Sequence, residues 1–145
     1  MSEVHLVLGI AVLVSNAVAA TWGAIAWTRR EPSTIFWYLL RTAQVVVVAE
    51  VVLGLLLLAE GKRPPDSLHY VYGIAPLVIS LASEAARIAV AQSELAQAGD
   101  LDSLDRRERI LLARRIVLRE IGTMTIGAIL IVTLGLRAAS TGGGF

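Results

Sequence analysis

The chain has 145 residues, a formal net charge of +1 and no cysteine, and 56% of its residues are hydrophobic, with a mean hydropathy of +0.70. A water-soluble domain this short has too much surface to hide that much apolar side chain, so the excess must face lipid. The absence of cysteine excludes disulfides, thioether-attached haem, iron–sulfur clusters and thiol catalysis, and a near-neutral chain without a basic stripe excludes a nucleic-acid partner.

The apolar residues fall into four runs, each close to the ~20 residues that cross about 30 Å of hydrocarbon at about 1.5 Å per residue. They predict helices over 4–27, 35–59, 69–91 and 116–136. The expected fold is an all-α integral membrane protein, a single membrane domain over 1–145. It is a four-transmembrane-helix bundle with an extended cytoplasmic helical hairpin between helices 3 and 4. A β-barrel would alternate apolar and polar residues over ~10-residue segments, which this chain does not do.

The first run opens with Met1, Ser2 and Glu3, without the basic start of a signal peptide, and Trp22, Trp27, Arg29 and Arg30 mark its far end; it is expected to be a permanent helix. The second contains VVVVAEVV, which would suggest a strand in water, but in lipid a lone segment must satisfy its own backbone and is helical. The outer connection, EGKRPPDSLHYVYG, stiffens at Pro64-Pro65. It offers Asp66 or Ser67 as a cap for the third helix and brings His69, Tyr70 and Tyr72 to headgroup level. Within the third run, Pro76 removes a backbone bond just after Gly73 and predicts a kink. The hairpin tip, about 92–115, has a helix stop at Gly99 and a fresh start at Asp100, Asp102 or Ser103. Asp102 with Arg106 and Asp105 with Arg109 stand four apart there. This tip reads as a solvated, charge-laced face, or as a docking surface for a partner or for anionic headgroups.

Arginine distribution sets the expected orientation. Arg29 and Arg30 lie in the first connection and Arg106, Arg107, Arg109, Arg114 and Arg115 in the third, against Lys62 and Arg63 in the second and Arg137 near the C-terminus. The first and third connections are expected in the cytoplasm and both termini outside a cell (inner or plasma) membrane. The Gly142-Gly143-Gly144-Phe145 end is flexible by composition.

The polar residues inside the runs carry the functional information. Counting depth from the outer helix ends at about 1.5 Å per residue puts Arg41, Arg87 and Arg119 at roughly 27 Å, with Gln44, Glu84 and Glu120 at roughly 22–25 Å. They predict an inner charged layer that pairs within itself, either as a clamp on helix register or as a gate or anionic-headgroup site. Glu50 falls about 15 Å deep, alone in an apolar stretch, with Asn16, Ser80 and Thr125 at comparable depth as polar-core partners. A carboxyl there must be neutral, hydrogen-bonded or facing a wet cavity, which suits a proton or cation site and equally a polar core residue. At the outer rim His5 and His69, with Tyr70 and Tyr72 nearby, are ligand candidates for a metal or a haem, with Glu3, Glu60 or Asp66 near a metal. Ala17, Ala20, Ala24, Gly122, Gly127 and Gly135 permit close helix approach.

No phosphate-binding loop, HExxH, GxSxG or dinucleotide fingerprint is present, so an enzyme is not expected. The sequence instead leads to a structural or accessory subunit of a membrane assembly. The alternative is an oligomeric proton- or cation-coupled small transporter or channel using Glu50, and the third reading a haem- or metal-binding electron-transfer protein through His5 and His69. The expected partners are the lipid bilayer and either further copies of the chain or a larger membrane complex.

Overall fold

A computed structural model describes residues 2–63 and 67–140. The sequence readings at Pro64, Pro65 and Asp66 and at Gly142 to Phe145 lie outside these residues. Among the described residues the chain forms α1 (Ser2–Arg29), α2 (Thr34–Ala59), α3 (Leu68–Ala98) and α4 (Arg106–Ser140), with a short 3-10 turn at Leu101–Ser103. All four helices are long and apolar enough to cross a membrane. Large apolar side chains face outward along them, among them Val7, Val45 and Leu81 at 61%, 68% and 62% exposure. That surface is stable only in lipid, and the architecture is that of a multi-pass membrane protein.

Each reversal is written in local chemistry. α1 ends where Arg30 takes a left-handed conformation (φ 54°), with Glu31 N–H donating to Ala26 O at 3.0 Å and Arg30 N–H to Trp27 O at 3.1 Å; this paired closure satisfies the last carbonyls, and Pro32 follows. Arg114 of α4 donates to Arg30 O at 2.9 Å and holds the unusual turn. Ser33 caps α2 by accepting from Phe36 N–H at 3.2 Å and also accepts from Trp22 Nε1 at 2.9 Å, which pins the α1–α2 hairpin. At the other end of α2, Lys62 N–H reaches Leu57 O at 3.1 Å around Gly61 (φ 82°).

α3 and α4 run well past the predicted 69–91 and 116–136. At about 1.5 Å per residue, α3 is ~46 Å and α4 ~52 Å long, so the pair overhangs a ~30 Å core. Gly99 ends α3 with φ 72°, where the stop was expected. The restart differs. Asp100 accepts from Asp102 N–H at 3.0 Å and Ser103 Oγ donates to Asp100 O at 2.6 Å, so these residues build the 3-10 turn instead. The α4 cap is Asp105: it accepts from Glu108 N–H at 2.7 Å while Glu108 accepts from Asp105 N–H at 2.9 Å, a reciprocal capping box. Arg109 correspondingly donates to the carbonyls of Leu104 and Asp102.

Adjacent helices are antiparallel, with α4 packed against both α1 and α3, α2 against α1, and the α2–α3 seam the loosest. α4 buries the fullest face, Ile121, Gly122, Met124, Thr125, Gly127, Ala128 and Ile131. Phe36, Leu40, Ala26, Ile121 and Met124 form one core cluster, and Val12, Val47 and Ile131 a second. Gly23 sets the closest approach: a methyl there would meet Thr125 Oγ1 and come within 2.5 Å of the fully buried Phe36 ring. Replacing it by alanine is therefore expected to cost about 1–3 kcal/mol by overpacking, read as a lowered unfolding midpoint in detergent. Gly73→Ala, with nothing within 4 Å of the added carbon, should leave the midpoint unchanged or slightly raised; equal stability of the two variants would contradict this packing.

Candidate functional site

Three polar tiers cross the bundle. The first joins α1, α2 and α3. Glu50 projects from α2, and its Oε1 lies 3.0 Å from His5 Nδ1 on the first turns of α1. The other nitrogen of that ring, Nε2, faces His69 Nε2 at the start of α3 across 3.5 Å, the rings being tilted by 58° with centroids 5.7 Å apart. Gly54 stands one turn after Glu50 on the same face, and an added methyl there would meet His5 Cε1 at 3.6 Å, an ordinary van der Waals contact. Both side chains are largely withdrawn, at 20% exposure for His5 and 15% for Glu50, and among the described residues neither His5 Nδ1 nor Glu50 Oε2, both buried, has a hydrogen-bond partner, so the 3.0 Å approach is a close contact without an aligned hydrogen bond.

The sequence placed Glu50 alone at the midplane and the histidines at the rim. The structure joins them because α1 and α2 are staggered: three helical residues precede His5, whereas nine follow Glu50 before α2 ends. Asn16, Ser80 and Thr125 do not supply the partner. Asn16 donates to Val12 O of its own helix at 2.8 Å, Thr125 is fully buried against Gly23 with its hydroxyl unpartnered, and Ser80 is half-buried on α3. Tyr70 is exposed and Tyr72 half-buried beside His69.

The second tier centres on Glu84 of α3. Its Oε1 accepts from Arg41 and, at 2.9 Å, from Gln44, both on α2, and Arg41 also donates to Gln44 Oε1 at 2.6 Å. Its Oε2 accepts from Arg87 Nε at 2.9 Å and lies 2.8 Å from Arg87 Nη2. Arg87 Nη1 then reaches Glu120 of α4 at 3.1 Å, and its guanidinium lies 5.5 Å from the Trp37 ring centroid. Two arginines against two glutamates make a tier without net charge, the cheapest way to keep ions in hydrocarbon.

Arg119 does not join this layer. Successive residues on a helix point about 100° apart, so with Glu120 turned to Arg87, Arg119 points elsewhere. It meets Glu94 of α3 at 2.6 Å, with Arg115 at 3.7 Å from the same carboxylate, whose side chain is only 3% exposed. Glu94 escaped the sequence reading because it lies past the predicted end of the third span. Arg115 and Arg119, four apart on a helix that starts earlier than predicted, are the signal that finds it.

Among the described residues no three His, Asp or Glu side chains gather into a ready metal site. Glu3 is exposed and Glu60 pairs with Lys62 at 3.3 Å. Between the two imidazoles, with centroids 5.7 Å apart, there is no slot for a porphyrin, so haem held by His5 and His69 together does not fit.

The fold and its tiers define a small multi-pass helical membrane protein with one neutral ionic clamp and one His–Glu cluster. Comparison with known protein families, curated proteins and solved structures gives no match to this chain.

The clamp yields a stability prediction. Arg87→Ala leaves Glu84 and Glu120 withdrawn from solvent without their shared partner and is expected to cost about 3 kcal/mol. Arg41, whose side chain is 51% exposed, should cost under about 1 kcal/mol when truncated. Unfolding midpoints in one detergent check the order, and a larger loss at Arg41 would contradict the assignment of Arg87 as the central ion.

Proposed function

We propose that this chain is a non-enzymatic cation-handling membrane protein, an oligomeric small transporter or channel of the cell membrane whose ion site is the Glu50–His5–His69 cluster. The observation that carries the reading is the 3.0 Å contact between Glu50 and His5, continued to His69 at the bundle end. A buried carboxylate with one unpartnered oxygen is thereby linked through two imidazoles to the first turn of α3. Such a chain of ligating and proton-accepting groups serves an ion that must enter and leave; packing alone does not call for it. The neutral Glu84–Arg87 clamp, farther along the bundle, supports a closed far side that rearranges when the ion passes. One bundle of this size leaves little room for a pathway of its own, so further copies complete it. Arg29 and Arg30, with the arginines of the α3–α4 hairpin, support an orientation with those connections in the cytoplasm and both termini outside.

The hairpin itself favours a second reading, an accessory subunit of a larger membrane assembly. A shallow groove of about 590 Å³ lined by Leu104, Arg106, Arg109, Ile110 and Ala113 opens on its tip and offers both apolar and cationic contacts to a partner. Extraction in mild detergent separates the two: a stoichiometric foreign partner supports the accessory role, and a homo-oligomer supports transport.

For transport, purified protein in liposomes under a cation or pH gradient should carry flux above empty vesicles. Glu50→Gln should bring that flux to background while keeping the helical content. Wild-type flux at the level of empty liposomes, or a Glu50→Gln flux equal to wild type, contradicts the reading.

A further inference from the structure

We infer that the seam between α1 and α4, at the end of the bundle where α1 stops, binds the headgroup of an anionic phospholipid through Arg30 and Arg114. The site shares no residue with the His5–Glu50–His69 cluster and stands whether or not the chain carries ions.

The pairing of the arginines singles this place out. Arg41 and Arg87 meet Glu84 and Glu120, and Arg115 and Arg119 meet Glu94. Arg29, Arg30 and Arg114 have no carboxylate partner among the described residues, and even Glu31, next in the chain, forms no ion pair with them. Yet Arg114 is drawn to this corner. Its Nη2 donates to Arg30 O at 2.9 Å, which sets a second guanidinium beside a residue that already carries one. Like charges gathered without a counter-ion repel, and an anion shared between them offsets that repulsion. The backbone of Arg30 points the same way. With φ 54° it occupies the left-handed region that glycine takes at no steric cost, and its side chain is exposed. The turn alone calls for glycine; an arginine there keeps a cation at the seam.

The surroundings are those of a lipid and not of a dissolved anion. Trp27, one turn before Arg30 on α1, lies across α4: a carbon added at Gly122 would stand 2.8 Å from its ring. Trp27 is nonetheless 44% exposed, an indole at the boundary of the apolar span, where aromatic rings meet headgroups. Leu118, between Arg114 and Gly122 on α4, is half-buried. With Trp27 it gives the inner half of the seam an apolar wall, and charge begins only outward of it. A molecule that satisfies both halves has an apolar tail and an anionic head, and guanidinium groups hold phosphate oxygens through paired, charge-assisted hydrogen bonds. Arg107 is also exposed and without a carboxylate partner among the described residues. It stands about 10 Å farther out along α4, at about 1.5 Å per residue, past the end of α1, and provides the comparison.

Native mass spectrometry of the full-length protein in mild detergent reads the site, with phosphatidylglycerol and phosphatidylcholine of the same acyl chains added in equal amounts. Wild type is expected to retain one phosphatidylglycerol per chain in preference to phosphatidylcholine. An interfacial arginine contributes about fivefold to anionic-lipid affinity, so Arg30→Gly and Arg114→Gln should each lower that preference about fivefold, and Arg107→Gln should leave it within about twofold. Arg30→Gly also separates binding from folding. Glycine suits the turn, so its unfolding midpoint should equal or exceed that of wild type while the lipid is lost. Equal retention of the two lipids by wild type, or undiminished phosphatidylglycerol on Arg30→Gly, would overturn the inference. So would an equal loss in Arg107→Gln, which marks a diffuse charge effect, or displacement of the lipid by millimolar inorganic phosphate, which marks a site for a soluble anion.

Discussion

Within hydrocarbon a polar side chain has no water to turn to, so it must find its partner on its own helix or a neighbouring one. In this chain that constraint organises the bundle. His5 ties α1 to α2 through Glu50, Glu84 ties α3 to α2 through Arg41 and Gln44, Arg87 ties α3 to α4 through Glu120, and Glu94 ties them again through Arg119. The apolar core contributes packing but little choice of register, since lipid tails are as apolar as Val47 or Ile131 and do not penalise their exposure. The α2–α3 seam, where the two helices approach each other least among the packed pairs, is the one the Glu84 network bridges.

The tiers differ in completeness, and this difference separates structure from function. Glu84 and Arg87 use both ends of their side chains, and their tier balances charge, as a clamp requires. At the His–Glu tier one carboxylate oxygen of Glu50 and Nδ1 of His5 are buried without a hydrogen-bond partner among the described residues. Buried polar groups are ordinarily satisfied, and an exception needs a reason. Thr125, the other buried oxygen without a partner, has a simpler one: its small side chain fills the space that Gly23 leaves.

Much of this was legible in the sequence. Run length gave the four helices, and depth counting brought Arg41, Gln44, Glu84, Arg87 and Glu120 to one level. What depth counting does not contain is the relative height of two helices. It assumes that α1 and α2 begin at the same plane, which separates Glu50 from His5; their stagger restores the contact. Nor does depth contain azimuth, so Arg119 and Glu120, neighbours in height, were assigned to one layer although they point apart. Hydropathy also ends a span where charge begins, and a helix continues wherever caps and packing sustain it. Asp105 with Glu108 starts α4 ten residues before the predicted 116, which is what brings Arg115 to Glu94.

The central claim is that Glu50 and His5 act as one unit. A double-mutant cycle on Glu50→Gln and His5→Ala, scored by unfolding free energy in a single detergent, measures this most directly. The account predicts non-additivity of about 0.5–3 kcal/mol, with the second substitution costing little once the first is made. Additive effects within about 0.3–0.5 kcal/mol would mean that the two side chains do not interact and would contradict it.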